Sequence, residues 1–404
     1  MEWPRVRLGD VAQEFISGGT PSTKIEHYWT GDIPWITGAD VTDNVVVAGR
    51  KWITREAIDN SATHVVPKGA ILLVTRTGVG KVAIAGADIA ISQDLTGIVL
   101  KEGTNADFVA AAIRQKTRNL LDVQQGAIIK GVLRKDVEKL EIPLPPLSEQ
   151  RRIVEILDQA DLLRRRRAEA DAKAERILPA LFIKMFGDPR TNPRRLPIIE
   201  LSEVISVGPQ NGLYKPASSY GKGTKILRID GFYNGEVSNL DNLKRLKVSP
   251  EEIAKYGLEE SDIVVNRVNS EEYLGKSAII PALSEPVVFE SNMMRFTVDT
   301  SQVLPGFVVA HLQTSFTKTE ILSKAKRAIN QASINQQDVR SLTILLPPLA
   351  DQERFVIASS KVRTLLSRSE SERVKLEILF DALIHRAFSG NITASWREAQ
   401  NLSG

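Results

Sequence analysis

The chain has 404 residues, 42% of them hydrophobic and 25% charged, the proportions of a soluble globular protein of about two to four domains. It has no cysteine, which excludes disulfides and thiolate chemistry, and no apolar run near the roughly 20 residues that span a bilayer. A net charge of +4 permits a nucleic-acid partner without demanding one.

The opening "MEWPRVRLGD" lacks the apolar core of a signal peptide, so the cytoplasm is the expected location. Residues 1–147 read as a first mixed α/β domain. Its clearest element is "AILLVTRTGVGKVAIAG" (70–86), where β-branched residues flank a glycine-containing turn, a strand–turn–strand signal. Within it "TRTGVGKVA" fails as a phosphate loop. Thr75 stands where the first glycine is required, and Val82 where Ser or Thr would hold magnesium. A tight turn presenting Arg76 and Lys81 is expected instead. A short helical pattern follows at 106–118.

"LPPLSEQRRIVEIL" (144–157) opens a different kind of segment. Two prolines stop the preceding strand, and residues 148–186 read as one long helix. Its positions Ile153, Ile156, Ala160, Leu163, Arg167, Ala170, Ala174, Ile177 and Leu181 alternate three- and four-residue steps, the period of a coiled-coil seam. "RRRR" (164–167) sits inside a run of interleaved charges, which is either a solvated helix face or a contact with phosphate or a partner.

The same punctuation then returns. "LPPLADQERFVIAS" (346–359) repeats the motif at an offset of 202 residues, and Asp136-Val137 falls on Asp338-Val339 at that offset. Nearer the start of each copy the offset drifts: "WPRVRLGDV" (3–11) matches "LPIIELSEV" (196–204) at 193. Loops accept insertions cheaply, whereas one residue added to a packed helix turns every later side chain by about 100°. The repeat is therefore a duplicated domain: 187–349 is a second mixed α/β domain, 350–390 a second long helix and 391–404 a tail. The second domain has its own strand–turn–strand, "SDIVVNRVNSEEYLGKSAII" (261–280), with a longer turn. The second seam reads Phe355, Ala358, Val362, Leu365, Ser369, Glu372, Leu376, Leu379 and Leu383. Both seams are polar in the middle, which favours pairing of the helices with each other over two independent amphipathic helices.

Catalytic chemistry is not visible. Four scattered histidines offer no zinc cluster, no G-x-S-x-G elbow or dinucleotide fingerprint occurs, and "NPRR" (192–195) is not an adenine-methyltransferase motif. The chain is expected to be no enzyme and to carry no metal or cofactor of its own.

In order and in duplication these motifs resemble the specificity (S) subunit of type I restriction–modification systems. "LGDVAQEFISGGTPS" resembles that family's entry into a first target-recognition domain, and "GDIPWITGADV" and "RTGVGKVAI" its core strands. "IPLPPLSEQRRIVEIL" resembles its first conserved helix, "LFIKMFGDPRTNPRRLPIIEL" (181–201) the junction into the second recognition domain, and "AFSGNITASWRE" (387–398) its C-terminal ending. The resemblance implies an α+β protein with two pseudo-repeated recognition domains separated by two long antiparallel coiled-coil helices. Each domain would read one half of a bipartite, asymmetric double-stranded DNA target, and the helices would set the gap. Two methyltransferase (M) subunits and restriction/translocase (R) subunits would bind the chain, with S-adenosylmethionine, ATP and magnesium on those partners. Alternatives are a duplicated coiled-coil scaffold without DNA readout, or the specificity subunit of a methylation-only or fused system.

Base reading needs amide, cationic and aromatic side chains on exposed loops. The first domain offers Lys24, His27 and Tyr28, then Arg76 and Lys81, then Gln124 and Lys130. The second offers Asn211, Tyr214, Lys215, Tyr220 and Lys222, then Arg267, Asn269 and Lys276, then Asn330, Gln331 and Asn335. Each is equally readable as a solvated loop residue, and Trp29 and Trp35 read as core. The recurring Leu147, Glu149, Gln150 and Arg151, matched by Leu349, Asp351, Gln352 and Glu353, are candidates for a partner surface or for a structural joint.

Overall fold

The computed structural model describes residues 3–123, 133–238 and 240–400. The chain forms two compact units, residues 1–167 with 373–404, and residues 168–372. Each unit therefore contains one α/β domain and a portion of both long helices.

In the first unit a five-stranded sheet is built around Ile71–Val74, which pairs antiparallel with Val82–Ala85 in the register Leu72↔Ala83. All eight positions of the two strands are buried. Alternation sends Ile71 and Leu73 to one core with Phe108, Ile113 and Ile153, and Leu72 and Val74 to another with Ile36, Val66 and Ile89. A four-stranded sheet ordered Lys51–Ile53, Ile33–Ile36, Ile89–Ile91 and His64–Val66 completes the domain. The helix Ala106–Val123 brings Phe108, Val109, Ala112 and Ile113 into the first core.

In the second unit Ile263–Asn266 pairs antiparallel with Ser277–Ile279 at the centre of a six-stranded sheet. The longer turn between these strands contributes Val268–Asn269 to a separate three-stranded sheet with Gln331–Ser333 and Lys326–Ala328. That extra sheet has no counterpart among the described residues of the first unit. The mixed domains and long helices expected from the sequence are present.

The two units are closed in the same way. Arg5–Arg7 pairs with Glu141–Pro143, and Ile198–Glu200 pairs with Thr343–Leu345. The first strands of these pairs lie 193 residues apart and the second strands 202, the two offsets of the internal repeat. Just beyond each pair stands the recurring glutamine. Gln150 is buried; its Nε2 donates to the Pro145 carbonyl (2.8 Å) and its Oε1 accepts from the Asn105 amide (2.8 Å). Gln352 is buried too, donating to the Pro347 carbonyl (2.8 Å) and accepting from the Leu304 amide (2.8 Å). Asn105 and Leu304 each immediately precede a helix of their domain, so this side chain ties domain to long helix in both copies. Glu149 is buried against Thr393 and Arg397 of the C-terminal segment. Gln150, Gln352 and Glu149 are thus joint residues rather than outer-surface ones.

The long helices span Leu147–Ala174 with Ile177–Phe186, and Leu349–Phe388. The first is interrupted at Glu175-Arg176, one turn before Pro179. Proline has no N–H to give the carbonyl four residues back, and its ring crowds that carbonyl, here that of Glu175. The apolar period alone gives one unbroken helix over 148–186. Within the first unit the two helices run antiparallel: Arg164 meets Glu377 (2.8 Å) and lies over the Phe380 ring (4.2 Å). Within the second unit Ser369 donates to Asp171 (3.0 Å), and Phe182 meets Phe355 edge-on at 5.7 Å.

The inward positions differ from the expected seam. Ile153 and Phe355 are buried, and Ile156, Leu181, Val362, Leu376 and Leu383 are half-buried. Leu163, Leu365 and Leu379, however, are 57%, 63% and 65% exposed, and Ile177 is also exposed. Their places are taken by Arg164, Leu366, Phe380 and Leu178. The cause is the period. A 3.5-residue frame counted from Ile153 or Phe355 slips about 20° per heptad against a helix of 3.6 residues per turn, so it ends nearly one position off. Counted at 3.6, the frame from Phe355 passes through Ser359, Leu366, Arg373, Phe380 and Ala387, all buried or half-buried.

Candidate nucleic-acid interface

The second unit gathers several loops that the sequence keeps far apart. Asn269 pairs with Ala332, and Arg327 Nε donates to Glu271 (2.6 Å), so the turn 267–276 and the hairpin 326–333 form one surface. The loop carrying Tyr214 adjoins it through Ser291, whose amide donates to Leu213 and whose carbonyl accepts from Arg267 Nη1 (3.0 Å). Lys318 fixes the turn from beneath, its Nζ donating to the carbonyls of Glu271 (2.6 Å), Glu272 (2.9 Å) and Leu274 (2.7 Å). Burial there lowers the pKa of its ammonium.

The candidate side chains of the second unit divide by what they touch. Asn211, Lys222, Asn330 and Gln331 are exposed, and Tyr214 is 78% exposed. Lys215 pairs with Glu252 at 2.7 Å, and Tyr220 packs partly against Leu246 and Ile226. Asn269 accepts from the Ser270 amide, and Asn335 caps the short helix Gln336–Arg340 by accepting from two of its amides. Lys276 is half-buried. It donates to the Ile229 carbonyl (2.7 Å) and lies 3.8 Å from the Tyr233 ring centre and 5.5 Å from that of Tyr273. Desolvation pulls its pKa down. Arg267, Lys215, Asn335 and Lys276 are therefore partly engaged in holding the loops. Tyr233 and Tyr273, exposed beside Lys276, escaped the sequence reading because they lie 40 residues apart in the chain.

In the first unit Lys24 is exposed, and His27 Nε2 lies 3.0 Å from the Glu56 carboxylate at the surface. Tyr28 is a correction: it is 7% exposed and packs with Trp35 and Ile53, so its ring belongs to the core. Lys51, not singled out in the sequence, covers the Trp29 ring at 4.8 Å. Arg76 and Lys81 are exposed at their turn, with Lys81 Nζ 3.4 Å from the Gly38 carbonyl. Gln124 and Lys130 lie outside the described residues.

The first unit also has a cleft of about 720 Å³, lined in part by Asp107, Arg114, Asp158, Asp161, Arg164 and Phe380. Burial, with Asp107 and Asp161 alongside, pushes the Asp158 carboxyl up. Three carboxylates against two guanidiniums among these six give little attraction for phosphate, so the cleft is not part of the candidate interface. Two arginines of the "RRRR" run are likewise engaged: Arg164 bridges the helices and Arg165 pairs with Asp161 (2.9 Å). The exposed loops offer amides, cations and rings, the groups that position phosphates and read base edges.

Two such domains, each closed by a strand pair and pinned by a buried glutamine to long helices, make this chain an internally duplicated α+β protein. The type I restriction modification DNA specificity domain matches residues 1–170 and again residues 197–376. The chain belongs to that family and carries two copies of the domain. It is 32% identical over 192 residues to the type I restriction enzyme MjaIX specificity subunit of Methanocaldococcus jannaschii, a match covering 46% of this chain and 44% of that one. With the MjaVIII specificity subunit of the same organism it shares 24% identity over 97% of its own length and 93% of the relative's. The first of these matches thus spans less than half of its relative. A solved structure concerned with complex assembly and conformational transition of the type I R-M system superposes with a TM-score of 0.63 at 19% identity, over 96% of this chain and 98% of that one. Among the described residues no helix is long and apolar enough to cross a membrane.

Proposed function

We propose that this chain is the DNA specificity subunit of a type I restriction–modification complex. Each α/β domain reads one half of an asymmetric, two-part target in double-stranded DNA, and the paired helices fix the gap. Two methyltransferase subunits dock on the helices and the segments leading into them, and restriction/translocase subunits join that assembly. The chain itself performs no chemistry; S-adenosylmethionine, ATP and magnesium act on the partners. The observation that carries this reading is the duplication of one DNA-specificity domain, with each copy pinned in the same way to a helix. Because the two copies differ in sequence, the half-sites differ as well.

The test is a genome-wide map of methylated adenines in the source organism, with and without this gene. The expected result is loss of one asymmetric two-part motif with a constant non-specific gap. An unchanged map in a strain whose methyltransferase subunit is expressed and active would overturn the reading.

A further inference from the structure

The hairpin 326–333 carries a side chain that the fold does not use. Ala328 pairs with Gln331, leaving a two-residue turn of Ile329 and Asn330. Asn330 takes a φ of 62°, which suits asparagine in such a turn. Ile329 beside it is 93% exposed, the most exposed large apolar side chain among the described residues. The hairpin is nevertheless firmly held. Ala332 and Ile334 are buried in the core of the unit, Arg327 is tied to Glu271, and Gln331–Ser333 pairs on both edges. Cross-strand pairs share a face, so Lys326, Ala328, Gln331 and Ser333 lie together on the face opposite buried Ala332. That face is exposed at Lys326, Ala328 and Gln331.

A stiff two-stranded ribbon with a cation and an amide on its open face, and an apolar tip, matches what the major groove admits. The groove is about 12 Å wide, takes a β-ribbon, and presents the thymine C5-methyl as its one apolar feature. We infer that this hairpin enters the major groove of the half-site read by the second domain, with Ile329 packed against a thymine methyl group. The inference rests on the DNA-reading proposal and adds to it a residue and a base. Lys326 supplies a phosphate contact at the groove edge, and Asn330 and Gln331 supply amides for base edges.

The test uses the whole chain assembled with its methyltransferase subunits, on duplexes carrying the motif found by the methylation map. Each thymidine of the motif is replaced in turn by deoxyuridine, which removes only the methyl group. The wild-type complex should lose roughly fourfold in affinity at one position, the worth of one buried methyl group. Ile329→Ala should bind the unmodified duplex more weakly by about the same factor or more and be indifferent to that deoxyuridine. Exposure of Ile329 predicts an unchanged melting temperature for the variant. Lys326→Gln should weaken all duplexes evenly and flatten the salt dependence by about one phosphate contact. Several results overturn the inference: equal binding by Ile329→Ala and wild type, deoxyuridine sensitivity that persists in the variant, or a motif without an A·T pair in the relevant half. Failure of the variant to assemble, with normal DNA affinity in whatever complex forms, would make the tip a protein contact and overturn it too. A wild-type chain that confers no motif overturns the DNA-reading proposal itself, whereas a motif indifferent to Ile329 overturns only this step.

Discussion

At Gln150 the side-chain amide is buried and uses both ends, donating a hydrogen bond to the Pro145 carbonyl and accepting one from the Asn105 amide. Alanine there leaves a carbonyl and an N–H inside the protein without partners, at a cost of about 3 kcal/mol. Gln150→Ala should destabilise the first unit by that amount, and Gln352→Ala the second, as read by denaturant unfolding. His311 poses a different residue-scale case. Its Nε2 accepts from the Leu345 amide (3.1 Å) and its Nδ1 lies 3.1 Å from the Thr317 hydroxyl, so the ring is neutral. Burial lowers its pKa to about 3 from an ordinary 6.5. A depressed folded-state pKa means that stability is full above about pH 6.5 and is lost as pH falls toward 3. From pH 7 to pH 5 the loss is about 2 kcal/mol. His311→Gln keeps an acceptor for Leu345 and should remove this part of the pH dependence, measured by thermal unfolding at the two pH values.

At the scale of elements, the helices carry the clearest consequences. Leu365→Ser and Leu379→Ser change exposed positions and should alter stability by less than about 0.5 kcal/mol, whereas Leu366→Ala and Phe380→Ala remove partly buried side chains and should each cost about 1 to 2 kcal/mol. The same helices show where the sequence was legible. Their existence followed from the sustained apolar period and the double-proline start, and the strand–turn–strands followed from β-branched runs around a glycine. Which face turned inward did not follow, because Leu163 is more apolar than the Arg164 that replaces it, and Leu365, Leu379 and Ile177 are about as apolar as Leu366, Phe380 and Leu178. Arg164 takes an inward place by laying its guanidinium over the Phe380 ring and pairing it with Glu377, and no apolar count registers that. The break before Pro179 was written in the sequence and outweighed by the repeat. At the candidate interface, loop composition picked out mostly exposed polar side chains. It could not tell a free lysine from one caged by rings, since Lys276 depends on Tyr233 far along the chain.

At the scale of the whole molecule, the proposed function and the two-unit build together predict that half-sites and gap vary independently. Inserting seven residues into each helix, after Arg167 and after Glu372, adds roughly 10 Å to both and keeps their faces nearly in phase. The gap in the methylation motif should widen by roughly three base pairs with both half-sites retained. Replacing residues 8–140 by the corresponding stretch of a relative should change one half-site only, by the same measurement.

The strand pair Arg5↔Pro143, and its twin Ile198↔Leu345, bring the two ends of each domain side by side, within about 5 Å. A segment that enters and leaves through one narrow neck transmits neither its size nor its internal register to the rest of the chain. Such a domain behaves as a cartridge: a stretch of foreign sequence, longer or shorter, fits the same socket provided that its ends form the pair. Under the proposed function, genetic exchange between necks would then yield working hybrids in one event, and a lineage would change its target without a succession of half-functional intermediates.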